Sequence, residues 1–263
     1  MKTYTTIILL LFLSLSNMLK GQNDSVPSMV TDRPTQCVSP ILVPRGLFQI
    51  ESGFIYTSQN NESFKSNDLN ILGTLLRYGI YNNFEIRLFG SFSNLSYRDK
   101  ELNTDSTLSG LGPLSLGFKI HIVEEKGIRP ELAIVADITL RHIGKDGFHP
   151  TYSYPTARLI ASNTLSNKFA LGYNMGFAYD GESADGFFIY SIVLGYNISS
   201  KVAAFIEPYG NFDHSAIPNH YLNGGFTYLI RRNLQLDLSG GIGLTEEVNE
   251  SFISFGFSWR IPR

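Results

Sequence analysis

The chain has 263 residues, 43% of them hydrophobic and 17% charged, with a formal net charge of −2. That balance excludes an intrinsically disordered polymer, and an acidic chain is an unsuitable partner for nucleic acid. The single cysteine, Cys37, excludes an internal disulfide, so burial and backbone pairing must hold the fold.

The opening stretch "MKTYTTIILLLFLSLSNMLKGQ" has an early Lys2, an apolar run from Ile7 to Leu15, and small or polar residues after it. Such a run is too short to span a bilayer as a helix, so residues 1–21 read as a secretory signal peptide. Its removal takes Lys2 and Lys20 with it and leaves the mature chain more acidic. Residues 22–45, containing the proline-rich "NDSVPSMVTDRPTQCVSPILVP", show no strand alternation and read as an irregular amino-terminal arm. Two fates suit this arm. Either Asp32 and Arg33 tuck into the barrel that follows as a small plug, or the segment is a loose periplasmic leader.

From residue 46 to the end, apolar and polar residues alternate with period 2 in twelve segments. These are 46–57, 68–80, 84–95, 112–123, 128–141, 156–165, 169–179, 187–198, 202–211, 221–230, 234–244 and 251–261. Their length suits tilted strands crossing a bilayer and exceeds the mode of about five or six residues for soluble strands. Connections alternate along the chain. Short turns are expected at 81–83, 124–127, 166–168, 199–201 and 231–233, and longer polar loops at 58–67, 96–111, 142–155, 180–186, 212–220 and 245–250. That alternation is the layout of an outer-membrane barrel with periplasmic turns, and an even strand number places both chain termini on the periplasmic side.

The hairpin "LLRYGIYNNFEIRLFGSF" shows the parity. A three-residue turn would pair Ile80 with Phe84, Tyr78 with Ile86 and Leu76 with Leu88 on one face, and Arg77 with Arg87 beside Glu85 on the other. The same bookkeeping joins Tyr196 and Ile198 to Val202, Ala204 and Ile206, and joins Phe226, Tyr228 and Ile230 to Leu234, Leu236 and Leu238. Tyr78, Phe169, Tyr196, Tyr228 and Trp259 lie near the short turns or the carboxyl end, and Tyr56, Tyr179 and Tyr190 near the long loops, as two interfacial girdles require. The final "SFISFGFSWRI" sets Ile253, Phe255, Phe257, Trp259 and Ile261 in one row, similar to the terminal strand read by barrel-assembly machinery.

Periodicity alone also fits a soluble barrel with the apolar face inside. The sparse charge of the strands, interspersed with Gly, Ser and Asn, favours an antiparallel transmembrane β-barrel of about twelve strands over residues 46–263, with outer-membrane lipid against its apolar face. The opposite, lumenal face then collects Glu51, Arg77, Glu85, Arg87, Lys119, His121, Glu131, Asp137, Arg141, Arg158, Glu207 and Asp237. Either these groups orient a small solute in a narrow pathway, or they pair with each other and fill the interior.

Three stretches carry a family resemblance: "TDRPTQCVSPILVPRGLFQIESGF", "GLGPLSLGFKIHIVEEKGIRPELAIVADITL" and "GGFTYLIRRNLQLDLSGGIG". They are similar to the outer-membrane transporter family named for the meta pathway of phenol degradation, although Pro113 stands where the family pattern carries an Asp. The resemblance implies an outer-membrane barrel with a transport role. Three functions stay open: a channel or transporter for a small solute, hydrophobic or aromatic if the family name is a guide; a barrel enzyme of lipase or protease type; and a non-conducting structural or binding barrel. For the enzyme, His142, His149, His214 and His220 sit in loops with Asp146, Asp213 and serines nearby, but no spacing fixes a triad. No catalytic residue, cofactor or metal site is expected, since the histidine spacing matches no familiar zinc site and "GLGPLSLG" lacks the Lys-Ser/Thr ending of a phosphate loop.

Overall fold

A computed structural model describes residues 26–212, 218–245 and 249–262. The expected signal peptide, residues 1–21, and the loop residues Asp213 and His214 lie outside the described residues.

The strands are β1 (Phe48–Asn60), β2 (Phe64–Tyr81), β3 (Phe84–Asp99), β4 (Thr104–Leu111), β5 (Ser115–Val123), β6 (Glu131–Thr139), β7 (Tyr154–Thr164), β8 (Phe169–Tyr179), β9 (Gly186–Asn197), β10 (Val202–Phe212), β11 (Asn219–Arg231), β12 (Leu234–Gly243) and β13 (Glu250–Ile261). Every pairing between them is antiparallel, and β1 pairs with both β2 and β13, so the sheet closes on itself. Closure leaves no long edge and satisfies the backbone within the wall, as a bilayer demands. No described helix is long and apolar enough to cross a membrane, and none is needed for a barrel.

Thirteen strands make twelve staves. β3 pairs through Phe84–Phe89 with β5 and through Phe92–Asp99 with β4, so β4 and β5 are upper and lower halves of one stave. The break falls at Gly112-Pro113-Leu114, where proline offers no ladder N–H. Two expected long loops are therefore corrected. Residues 58–67 and 96–111 are mostly hairpin strand, because β1, β2, β3 and β4 keep pairing beyond the other staves with turns only at 61–63 and 100–103. The parity reading also needs two single-residue corrections. Leu76↔Leu88, Arg77↔Arg87 and Tyr78↔Ile86 pair as read, but Tyr81 rather than Ile80 faces Phe84, and Arg231 rather than Ile230 faces Leu234. A bulge absorbs the extra residue at each turn.

Burial decides which face is inside. Arg77, Glu51, Glu85, Lys119 and Glu207 are 0% exposed, while Phe226, Ile242, Ile253 and Phe255 are each more than 50% exposed. Charged side chains point to the axis and greasy ones to the lipid, so the chemistry of a soluble barrel is inverted. The lumen also holds a small apolar cluster, in which Val38 of the arm packs with Ala133 and Val135 of β6 and Ile160 of β7.

Candidate functional site

The site is the lumen itself, and its organising element is the arm. Burial of a carboxylate requires several donors, and the arm's backbone supplies them. Glu51 Oε2 on β1 accepts the N–H groups of Asp32 and Arg33, each at 2.9 Å. Glu85 Oε2 on β3 accepts Val43 N–H at 2.8 Å. Glu207 on β10 accepts Gln36 N–H at 2.9 Å and Cys37 N–H at 2.5 Å. Asn174 on β8, with its amide turned so that oxygen meets a donor, accepts Val38 N–H at 2.6 Å and donates to Val38 O at 3.2 Å.

The arm's side chains are held as firmly as its backbone. Asp32 lies 2.6 Å from Arg87 Nη1, 3.1 Å from Lys119 Nζ and 3.6 Å from Arg77 Nη1. Burial alone would raise its carboxyl, but the Arg77, Lys119 and Arg87 charges outweigh that and hold it well below the ordinary carboxylate range. Arg77 in turn reaches Glu85 at 2.7 Å and Glu51 at 2.8 Å and donates to Ile41 O at 3.0 Å. On the opposite side of the arm, Arg33 donates through Nη2 to Asp237 and Ser254, both at 2.9 Å. Gly53 and Gly256, cross-strand partners on β1 and β13, leave the room this guanidinium occupies; a Cβ on either would collide with it.

Of the lumenal residues expected from sequence, Glu51, Arg77, Glu85, Arg87, Lys119, Glu207 and Asp237 meet in this network with Asp32 and Arg33. Asp137 joins at its rim, 3.5 Å from Arg87. His121 and Glu131 form a separate pair at 2.7 Å near the turn after β5. Arg158 faces the lumen beside the network, its charge acting on Asp137 and Glu207 from beyond ion-pair distance. Arg141 is a correction: β6 ends at Thr139, so Arg141 stands exposed in the following loop and donates to His142 at 2.6 Å. The His142 ring nitrogen is thus engaged by arginine, and His149 meets Asp146 at 3.1 Å; neither receives a serine hydroxyl among the described residues.

Four inward residues, three of them uncharged and one a cation, were not expected from the sequence. Gln49, Ser254, Ser258 and Arg260 are buried inward residues, each in step with Glu51 or opposite the Ile253–Ile261 row, so strand parity was the signal that could have found them. The same parity puts Asn174 inward on β8, on the face opposite outward Met175, but it does not say that Asn174 holds the arm.

The arm divides the lumen into two cavities. One of about 330 Å³ lies toward the long-loop ends, lined by Gln36, Arg158, Asn174, Ser191, Tyr209 and Tyr221 among others. The second, of about 360 Å³, lies toward the turns and is mostly apolar, with Leu171, Val193, Phe205 and Val38 in its wall. Gln36 faces the first, and its neighbours Thr35 and Cys37 face the second.

With this geometry in view, residues 31–261 match the family described as "Putative MetA-pathway of phenol degradation". The chain belongs to that family. It is an outer-membrane β-barrel. Among solved structures it is similar to an outer membrane channel from Pseudomonas putida F1, with a TM-score of 0.66 at 12% identity over 88% of this chain and 100% of that one. It is also similar to the transport unit of the autotransporter AIDA-I from Escherichia coli, with a TM-score of 0.55 at 11% identity over 94% and 97%. The translocator domain of autotransporter NalP from Neisseria meningitidis gives 0.54 at 8% identity over 98% and 96%. At these identities the likeness establishes the barrel fold alone. No curated protein sequence matches the chain.

Proposed function

We propose that this protein is an outer-membrane channel for a small solute whose resting lumen is partitioned by its own amino-terminal arm. The observation that carries the reading is the pair of lumenal cavities meeting at Gln36 and Cys37, whose N–H groups are both held by Glu207. A structural filler would leave no chambers on either side. Here the interior is hollow above and below one clamped segment, so release of that segment joins two spaces into a path.

The family's description refers to phenol degradation, and the similar Pseudomonas protein is an outer membrane channel. Together with the apolar turn-side cavity, these support a hydrophobic or aromatic solute of about one ring. The chain acts as a conduit rather than an enzyme, with both termini periplasmic and the arm entering from that side. Residues 1–21 are its signal peptide, and the described part of the arm, residues 26–45, is its plug.

Liposome swelling tests the reading. Vesicles carrying the wild-type chain should admit small neutral solutes slowly, and vesicles carrying Glu207→Ala should admit them faster. Equal exclusion of every small solute by both proteins, each shown to be a closed barrel by heat-dependent gel mobility, would overturn it.

A further inference from the structure

The loop-side cavity contains two ionisable groups with no direct ion pair to the arm network among the described residues. Arg158 projects inward from β7, and its cross-strand partner Gly176 has no side chain; a Cβ there would meet Arg158 Cγ at 2.8 Å, so the wall is cut to fit the stem. The nearest available carboxylate on a neighbouring strand, Asp137, is engaged by Arg87 at 3.5 Å. Arg158 makes no ion pair with any described residue. Glu250, at the start of β13, also lines this cavity without an ion-pair partner among the described residues. In the order of staves β13 and β7 are separated by β12, β11, β10, β9 and β8, which puts them on opposite sides of a twelve-stave barrel. One cation and one anion therefore face the same space from opposite walls without forming an ion pair with each other.

On the staves that separate them, and lining the same cavity, stand Tyr209 and Tyr221, cross-strand partners with ring centroids 4.9 Å apart and planes 7° from parallel. Two parallel rings present a flat π-surface, which takes another planar group by offset stacking or edge contact. A guanidinium presents a fork of donors matched to a carboxylate, and a carboxylate accepts from a hydroxyl or amine.

We infer that the loop-side cavity is a binding site for an aromatic carboxylate bearing a hydroxyl or amine at its far end. Arg158 takes the carboxylate, the Tyr209–Tyr221 pair flanks the ring, and Glu250 accepts from the distal donor. The assignment rests on the channel reading and adds to it the class of solute held before passage. A volume of about 330 Å³ admits one such ring and little more.

Calorimetric titration of the detergent-solubilised mature chain tests it, with 4-hydroxybenzoate, benzoate and the neutral 4-hydroxybenzyl alcohol as probes. Saturable binding of 4-hydroxybenzoate at least tenfold tighter than the alcohol, with that preference lost in Arg158→Gln, is the expected result. Glu250→Gln should erase the advantage of 4-hydroxybenzoate over benzoate while keeping the preference for acids. Equal binding of acid and alcohol by the wild-type chain, or no binding of either, would overturn the inference even if Arg158→Gln failed to fold. Swelling of liposomes in neutral solutes reports separately on the channel, so a permeable barrel indifferent to the carboxylate would refute this site alone.

Discussion

Glu207 Oε1 stands 2.5 Å from the backbone nitrogen of Cys37, while its Oε2 takes the preceding N–H of Gln36 at 2.9 Å. One wall carboxylate thus fixes the segment where the two cavities meet. Hydrogen bonds to a charged acceptor are each worth about 1.5–3 kcal/mol. Glu207→Ala removes both and should loosen the arm by at least one such increment, seen as a tenfold or greater rise in the rate of Cys37 labelling by a small maleimide. An unchanged labelling rate would mean that Glu207 does not hold the arm.

Arg33 and its glycine-lined slot provide an independent anchor. Asp237→Asn keeps the shape but removes the charge opposite Arg33, weakening the anchor by about 1.5–3 kcal/mol. Gly256→Leu should displace the guanidinium sterically, since even a Cβ there has no room. Both variants are expected to accelerate Cys37 labelling, with the heat-dependent gel shift still present. Labelling as slow as in the wild-type chain would contradict the placement of Arg33.

Arg77 has a different weight, because it serves the wall as well as the arm. Its removal leaves Glu51, Glu85 and Asp32 buried without their common cation. Breaking one side of a buried ionic cluster costs about 3–5 kcal/mol. Arg77→Met should therefore lower the temperature at which the folded band converts to the unfolded one on gels, and more than Asp237→Asn does. An equal or smaller loss would place Arg77 outside the load of the fold.

The pH dependence of arm docking follows from Asp32 and Cys37. Burial and then the nearby Glu207 charge push the Cys37 thiol from 9.0 to about 12. A raised value means that docking is fully supported below pH 9, where the released thiol is neutral too, and is lost as pH climbs from 9 toward 12, by up to about tenfold per pH unit. Asp32 is depressed, so its contribution is complete above its ordinary 3.8 and falls only in stronger acid. Conductance should stay flat from pH 5 to 8 and rise above pH 9, and Cys37→Ala should abolish the alkaline rise. A rise that persists in Cys37→Ala would assign it elsewhere.

Much of the barrel was legible because a strand's two faces meet different solvents. Arg77, Glu85 and Arg87 alternating with Leu76, Tyr78, Ile86 and Leu88 declared both the period and the inversion, and the pairing Arg77↔Arg87 follows from the turn. The bulges next to Tyr81 and Arg231 were not legible, since a one-residue insertion at a turn leaves the alternation of each strand intact. β4 was hidden because its outward residues before Leu111, namely Asp105, Thr107 and Ser109, are polar: it pairs with β3 beyond the greasy belt and carries no apolar row. In the site, period 2 could put Glu51 and Glu207 inside, but not say what they hold. Their partners are backbone N–H groups of the arm, and a backbone donor leaves no mark in the sequence. Arg141 was misplaced because extending the β6 alternation by one step of two carries it past Thr139, where the strand has already ended.

The most direct test of the partitioned lumen is the conductance of planar bilayers holding single barrels with and without residues 26–40. The wild-type chain should show small, intermittent conductance, and the deleted barrel a larger steady level. A synthetic peptide of residues 26–45 should then block that level from the side of the short turns only. Equal conductance of the two proteins, or a deleted barrel indifferent to the peptide, would contradict it.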